Sequence, residues 1–335
     1  MVVKTRQGNF CGVIVMRMMN ADEWFQTMLG FRHPNHSHYL GHYSSLWDGL
    51  LTDPRFMVLP IDDHGFHRGD AVFEAFKAVS GKVYLLREHL RRLTRSAAAI
   101  ELTPPLSEDE LARTILECAK ALGRTEYLFR LYVTRGPGGF SANPYESAGS
   151  QVHLILNELI RPSESLYANG AKLGLSHVPM KEGVWPTIKS CNYLPNVLMK
   201  KEAVDRGVDF TVNVSSEGWL GEGSTENVFF VTDKGELVVP SFLRTLTGTT
   251  VARCLDWTSE LISQGLLSEV SVRDASVQEL KSAREILVAG TTLDIVPVTN
   301  FEGAAVADGR PGPVFRELRR QLLLDMQSGD RATPY

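Results

Sequence analysis

The 335-residue sequence predicts a mixed α/β protein of the α+β kind, with enough chain for two domains. Three observations carry this prediction. Strand-like and helix-like stretches are intermingled without strict alternation. Hydrophobic residues make up 43% and charged residues 22%, the proportions of an ordinary soluble globular protein. The polar stretch Asn157 to Asn169, with Pro162, Ser163 and Ser165, offers a break between two halves. The expected layout is an N-terminal extension over residues 1–45, a small α+β domain over 46–160, a linker over 161–170 and a large domain over 171–335.

In chain order, the extension carries the histidines His33, His36, His38 and His42. Pro34 disturbs a helix there and no cysteine accompanies them, so a structural or exposed cluster is expected and no metal site. Phe56-Met57-Val58-Leu59-Pro60 reads as a strand, Ala71 to Phe76 as an apolar strand, and Gly81-Lys82 as a turn. Leu90, Leu93, Ala97 and Ile100 form one stripe of a helix over Glu88 to Ile100, with Arg91, Arg92 and Arg95 on other faces. Ser107-Glu108-Asp109-Glu110 is a capping box that opens a helix stopping at Gly123. Tyr127 to Thr134 alternates, with Arg130 on the more polar face, and pairs across a glycine-rich loop with a strand from Gln151 to Leu156. In the second half, Lys172 to Val178, Phe210 to Val214 and Val228 to Val231 read as strands. Pro195 to Arg206 reads as a helix closed by Gly207.

A net charge of −4 and a pI near 6.2 argue against neutralisation of many nucleic-acid phosphates, so small-molecule partners are expected. The four cysteines, Cys11, Cys118, Cys191 and Cys254, are widely spaced, which points to reduced thiols in a cytoplasm. The apolar run Val13 to Met16 is far too short to span a bilayer.

Three segments carry chemistry. Lys189, in Ile188-Lys189-Ser190-Cys191-Asn192-Tyr193, offers an amine at a strand end or tight loop, able to form a reversible Schiff base and to move a proton. Glu222, between Gly221 and Gly223, offers a carboxylate for a protonated ring nitrogen, with little bulk beside it; Glu226 is the other candidate. Gly248-Thr249-Thr250 opens a helix-like run with threonine at its cap, and Gly290-Thr291-Thr292 ends an apolar strand. With Arg91-Arg92 these turns make an anion site. Together they describe a pyridoxal-phosphate site.

In this combination the chain resembles the class IV, or fold type IV, pyridoxal-phosphate enzymes. These include branched-chain aminotransferases, D-amino-acid aminotransferases and aminodeoxychorismate lyases. The resemblance runs from about Leu46 to the C-terminus. It implies a two-domain fold with pyridoxal 5'-phosphate in the cleft and a homodimer whose partner subunit helps close the site. It assigns the phosphate arginine to Arg92 in Glu88-His89-Leu90-Arg91-Arg92-Leu93 and the Schiff-base lysine to Lys189. Tyr193 takes the place of the tyrosine at the cofactor's phenolic oxygen and Glu222 that of the ring-nitrogen glutamate, which settles the choice against Glu226. Thr249, Thr250 and Thr291 match phosphate-binding positions. The extension, Asn192 to Leu198 and the tail Leu324 to Gly329 resemble a plant-type branch with lyase and D-amino-acid transaminase activities.

The same scaffold supports amino-group exchange and pyruvate elimination. Phe73-Glu74-Ala75 lacks the threonine of lyases, and Gly138-Gly139-Phe140-Ser141 lacks the arginine found at that loop tip in some lyases and in D-amino-acid aminotransferases. The expectation is an aminotransferase acting on a D-amino acid or a branched-chain amino acid and a 2-oxo acid, with aminodeoxychorismate lyase as the alternative. Arg130 matches a carboxylate-binding arginine of branched-chain aminotransferases, the other reading being a structural pair at the domain interface. Phe73, Phe140, Tyr132 and Trp185 are expected around an apolar side-chain pocket, with Thr292 also toward substrate.

Overall fold

The structure is a computed structural model that describes residues 16–335, so Cys11 and most of the run Val13 to Met16 lie outside the described residues. After α1 (Ala21–Gly30) come β1 (Tyr39–Ser44), β2 (Gly49–Leu51), the one-turn α2 (His64–His67), β3 (Ala71–Val79), β4 (Lys82–Tyr84), α3 (Leu86–Ala99), α4 (Glu108–Leu122), β5 (Tyr127–Thr134) and β6 (Gln151–Asn157). The second half holds α5 (Glu164–Asn169), β7 (Ala171–Leu175), α6 (Leu194–Arg206), β8 (Phe210–Val214), β9 (Leu220–Gly223), β10 (Asn227–Val231), β11 (Glu236–Pro240), α7 (Thr249–Asp256) and α8 (Thr258–Ser263). It continues through β12 (Glu269–Arg273), α9 (Val277–Lys281), β13 (Glu285–Gly290), β14 (Asp294–Phe301), β15 (Ala304–Ala305), α10 (Pro313–Ser328) and β16 (Ala332–Pro334).

The first sheet is antiparallel, in the order β16-β4-β3-β5-β6-β1-β2. Period-2 alternation sends Tyr127, Phe129, Leu131 and Val133 of β5 and Val152, Leu154 and Leu156 of β6 inward, where α3 and α4 cover them. The capping box of α4 forms as expected: Ser107 and Glu110 satisfy each other's backbone donors, and Gly123 ends the helix at φ +67°.

The second sheet runs β12-β11-β10-β13-β14-β7-β8-β9, with parallel pairs at β11/β12, β14/β7 and β7/β8. It curls so that β9 also approaches β10. Its core is a continuous apolar set from β7, β8, β10, β11, β13 and β14 beneath α7 and α10. The chain then returns: β16 pairs with β4 at the edge of the first sheet.

Four expectations differ from what forms. Residues 57–60 are not a strand; Pro54–Phe56 is a single 3-10 turn, because Pro54 fixes φ and Asp53 accepts the Arg55 N–H. The segment expected as extension up to residue 45 contains β1, whose Gly41 and His42 hide the strand pattern although both are buried. The expected linker over 161–170 carries α5, which buries Tyr167 and hydrogen-bonds its hydroxyl to the Leu293 carbonyl. The helix at Gly248 takes that glycine, not a threonine, as its cap, since a Cβ there would stand 1.8 Å from Asn227 Oδ1.

Candidate active site

Between the sheets lies a cavity of about 460 Å³, lined from one side by β3, β5 and α3 and from the other by β9, β13 and α7. It gathers Lys189, Arg92, Tyr193, Glu222, Thr249, Thr250, Thr291, Thr292, Arg130 and Phe73. Residues far apart in the chain converge here: Phe73, Ala75, Arg130 and Tyr132 from a face of the first sheet, and Glu222, Gly290 and Thr249 from the ends of β9 and β13 and the start of α7.

Lys189 follows the one-turn 3-10 helix Trp185–Thr187, and its loop is pinned on both sides. The Phe73 N–H donates to the Lys189 carbonyl at 2.9 Å, the Cys191 N–H donates to Ala71 at 2.9 Å, and the Lys189 N–H donates to Ser96 Oγ on α3 at 3.2 Å. Buried Ile188 anchors the loop in the first core. The Nζ atom stands 4.6 Å from the centre of the Phe73 ring. Burial, helped by the Arg92 charge, lowers its pKa to about 8, so about a tenth of the amine is free at pH 7 and about half at pH 8.

Glu222 projects from β9 with one carboxylate oxygen accepting the Leu246 N–H at 3.0 Å, while the other has no hydrogen-bond partner among the described residues. Burial raises its pKa to about 7. A cation placed against it would restore ionisation. The flanking glycines serve neighbours and not a ring: a Cβ on Gly221 would strike Asn213 Oδ1 at 2.1 Å, and one on Gly223 would strike Glu226 at 2.5 Å. Glu226 itself is engaged in its own turn, accepting from Thr225 and Ser224. Tyr193 caps α6, its hydroxyl donating to the Ser224 carbonyl at 3.3 Å beside Asn196 Nδ2 at 2.7 Å.

At the other end of the cavity, α7 begins with buried Thr249 and Thr250, and no side chain caps its first turn, so the opening N–H groups remain available to an anion. Arg92 is held there as a fork: Nε and Nη2 each donate to Glu74 at 2.7 Å, and Nη1 donates to the Thr247 carbonyl at 3.0 Å. Thr291 and Thr292 form the turn after β13. An amine, a carboxylate with a free oxygen, and an anion cradle of arginine, threonines and helix N–H groups thus face one volume. That donor set fits a ring bearing an aldehyde, a basic nitrogen and a phosphate.

Arg130 and Tyr132 reach the same cavity from the face of β5 opposite the core. Two expected substrate residues do not. Phe140 is 61% exposed in the loop after β5, where its ring lies tilted against His67 and its carbonyl accepts from Arg68. Trp185 is 56% exposed outside the cavity wall. Sequence reasoning missed Lys181, Asn196, Ser224, Glu74 and His89. Only Glu74 left a signal, as a charge on the same strand face as Val72 and Phe76.

The family described as Amino-transferase class IV matches residues 71–301. The chain is 35% identical to the chloroplastic D-amino-acid transaminase of Arabidopsis thaliana over 292 residues, 87% of this chain and 78% of that protein. It is 27% identical to the D-alanine aminotransferase of Bacillus licheniformis, over 83% of this chain and 95% of that protein. The Escherichia coli branched-chain amino acid aminotransferase shares the fold, with a TM-score of 0.81 at 23% identity, over 88% of this chain and 99% of that one. The branched-chain amino acid aminotransferase of Thermobaculum terrenum in its PLP-form does so with a TM-score of 0.76 at 21% identity, over 89% and 98%. The fold, the family match and the relatives agree: the chain belongs to the class IV aminotransferases and is an aminotransferase.

Proposed function

We propose that this chain uses pyridoxal 5'-phosphate to move an amino group from a D-amino acid to a 2-oxo acid. The observation that carries the cofactor reading is the convergence of Lys189, Glu222 and the Arg92–Thr249–Thr250 cradle on one cavity. When bound, the cofactor supplies an aldehyde for the amino group and a ring that accepts electrons from the substrate's α-carbon. Arg92, Thr249, Thr250 and Thr291 hold its phosphate. The free Glu222 oxygen would accept from its ring nitrogen, and the Tyr193 hydroxyl would turn its one proton from the Ser224 carbonyl to the phenolic oxygen. Lys189 Nζ, lowered to about 8 by burial, would take the proton from the substrate α-carbon and deliver it to the carbon of the cofactor's aldehyde group in one half of a ping-pong cycle, and would run that transfer in reverse in the other half. Arg130 binds the substrate carboxylate, with Phe73 and Thr292 beside it.

The preference for D-amino acids rests on likeness to the Arabidopsis thaliana D-amino-acid transaminase; the branched-chain reading rests on fold likeness and on Arg130. The relatives and structures named above are all transaminases, which favours exchange over the lyase reaction. Phe140 lies open on the surface, and a second cavity of about 800 Å³ on the outer face of the first sheet shares Arg130 and Tyr132 with the site. We infer that a second copy of the chain covers this face as a homodimer, which sedimentation would detect.

The test is a half-reaction titration. Cofactor absorbance is followed as D-alanine, L-leucine and aminodeoxychorismate are added separately. Conversion by D-alanine supports the proposal, conversion by L-leucine alone replaces it with the branched-chain reading, and pyruvate release from aminodeoxychorismate without conversion refutes transamination. Lys189→Ala abolishes both the visible band and turnover on this reading.

A further inference from the structure

Helix α3 presents two buried stripes. Leu86, Leu90, Leu93 and Ala97 enter the core, and beside them His89, Arg92 and Ser96 form a polar stripe. Facing that stripe is Glu74, fully buried on the core side of β3 between Val72 and Phe76. A carboxylate in such a place is costly unless it is both paired and hydrogen-bonded. Glu74 is served twice, by the Arg92 fork and by His89 Nδ1 at 2.7 Å from Oε2. Burial opposes its ionisation, and the charges and hydrogen bonds of Arg92 and His89 outweigh it, holding the carboxyl at about 2.

A carboxyl that acidic accepts hydrogen bonds and donates none, so the His89 proton sits on Nδ1. Nε2 is then bare and accepts from the Thr249 hydroxyl at 3.2 Å. Thr249 opens α7 at the anion end of the cavity, and in this state its one hydroxyl proton is turned toward His89 and away from the ligand. The groups around His89 are Glu74 from β3, Arg92 from its own helix, Thr249 from α7 and Lys189 from its loop, with the Phe76 ring 5.4 Å away. Burial lowers the His89 pKa; Glu74 raises it, and Arg92 and Lys189 lower it further. A phosphate dianion seated against Thr249 and Arg92 supplies the negative charge that makes an imidazolium favourable there.

We infer that Glu74, His89 and Thr249 form a relay that couples binding of a phosphate monoester to uptake of a proton. The proton comes from solvent and forms a new Nε2–H bond, while the phosphate remains a dianion. Nε2–H then donates to Thr249 Oγ1, the threonine O–H turns to the phosphate, and Glu74 balances the imidazolium. Glu74 and His89 are positioning residues, acting through Thr249 and Arg92. This inference rests on the cofactor reading above and adds a proton to it. The sign is definite: between the His89 pKa of the free site and the raised value of the occupied site, affinity falls as pH rises, by up to about tenfold per pH unit, and outside that window the coupling vanishes.

The test is calorimetry of the cofactor-free chain with pyridoxine 5'-phosphate, in two buffers of different ionisation enthalpy near neutral pH. This probe has the ring and the phosphate but no aldehyde, so it forms no bond to Lys189. The expected result is uptake of about one proton per site beyond that seen in His89→Gln, whose affinity is also about tenfold lower. Lys189→Met keeps the uptake, which separates His89 from the amine. Should glutamine not be tolerated in the core, Thr249→Ser retains the uptake and Thr249→Val, lacking the oxygen that receives the new proton, reduces it. Equal uptake in the wild type, His89→Gln and Thr249→Val overturns the relay and leaves the cofactor reading intact. Failure of the wild type to bind the probe overturns the cofactor reading first and the relay with it.

Discussion

Lys189 and Glu222 are strained in opposite directions by the same desolvated cavity, and each strain makes a prediction. The Glu222 carboxyl is raised to about 7, so the folded, cofactor-free chain holds a proton that an unfolded glutamate releases near pH 4.5. Its contribution therefore favours the fold at low pH and is lost as pH rises through about 7. Glu222→Gln removes the penalty of a buried charge at alkaline pH. Cofactor-free Glu222→Gln should be more stable than the wild type at pH 8 by on the order of 2 kcal/mol, and no more stable at pH 5. Denaturant unfolding at the two values checks this, and equal differences at both would show that Glu222 does not carry the strain. For Lys189 the depressed value predicts that the amine's reactivity toward an aldehyde reaches half its plateau near pH 8, well before an ordinary lysine would. These two residues were legible in the chain because their neighbours are distinctive. Phe140 and Trp185 misled because an aromatic residue in a loop carries no sign of the direction in which it points, and Glu74 was passed over, although its charge interrupts an apolar strand face, because nothing local names the Arg92 and His89 that pair with it.

Among the elements, helices with explicit stop and start chemistry were read almost to the residue, as in α4 between Ser107 and Gly123 and α6 ending at Gly207. Strand β1 and helix α5 escaped because their burial is tertiary: histidine and glycine sit inward in β1, and a polar stretch buries only Tyr167 in α5. The element that matters most to the site is α3, which holds Arg92 at one end of the cavity and, through Ser96 Oγ, the Lys189 backbone at the other. Two serine substitutions separate this role from stability alone. Ser107→Ala removes the α4 cap and should cost about 1 kcal/mol with turnover unchanged. Ser96→Ala leaves the Lys189 N–H without its acceptor at a similar cost of about 1 kcal/mol, and it should also lower kcat by loosening the lysine's aim. Equal turnover in the two variants would mean that Phe73 and Cys191 hold the loop unaided.

At the scale of the whole molecule, the C-terminus closes a circuit that no local pattern announces. Helix α10 packs in the second core, with Asp325 accepting from Tyr84 of the first sheet and from Arg253 of α7. Strand β16 then completes the first sheet against β4. The Arg331 carbonyl accepts the Leu85 N–H at 2.9 Å, its side chain pairs with Glu88, and the Tyr335 hydroxyl donates to Arg124 at 2.9 Å. Leu85 stands at φ +54°, a left-handed conformation costly for a branched side chain, at the residue that launches α3 toward Arg92. The tail therefore braces the helix that carries the phosphate end of the site, although it lies outside the cavity. A chain ending at Ser328 should lose roughly 2 to 3 kcal/mol of stability, from the ladder bonds and the Tyr335 contacts. It should also retain pyridoxal 5'-phosphate less tightly than the full chain, while Lys189 still titrates near pH 8 because its own surroundings are untouched. Dialysis against buffer without cofactor, run beside thermal unfolding, distinguishes the outcomes. A truncated chain that unfolds earlier yet keeps its cofactor as well as the full chain would show that β16 steadies the sheet alone, and that α3 holds its bearing from the core without it.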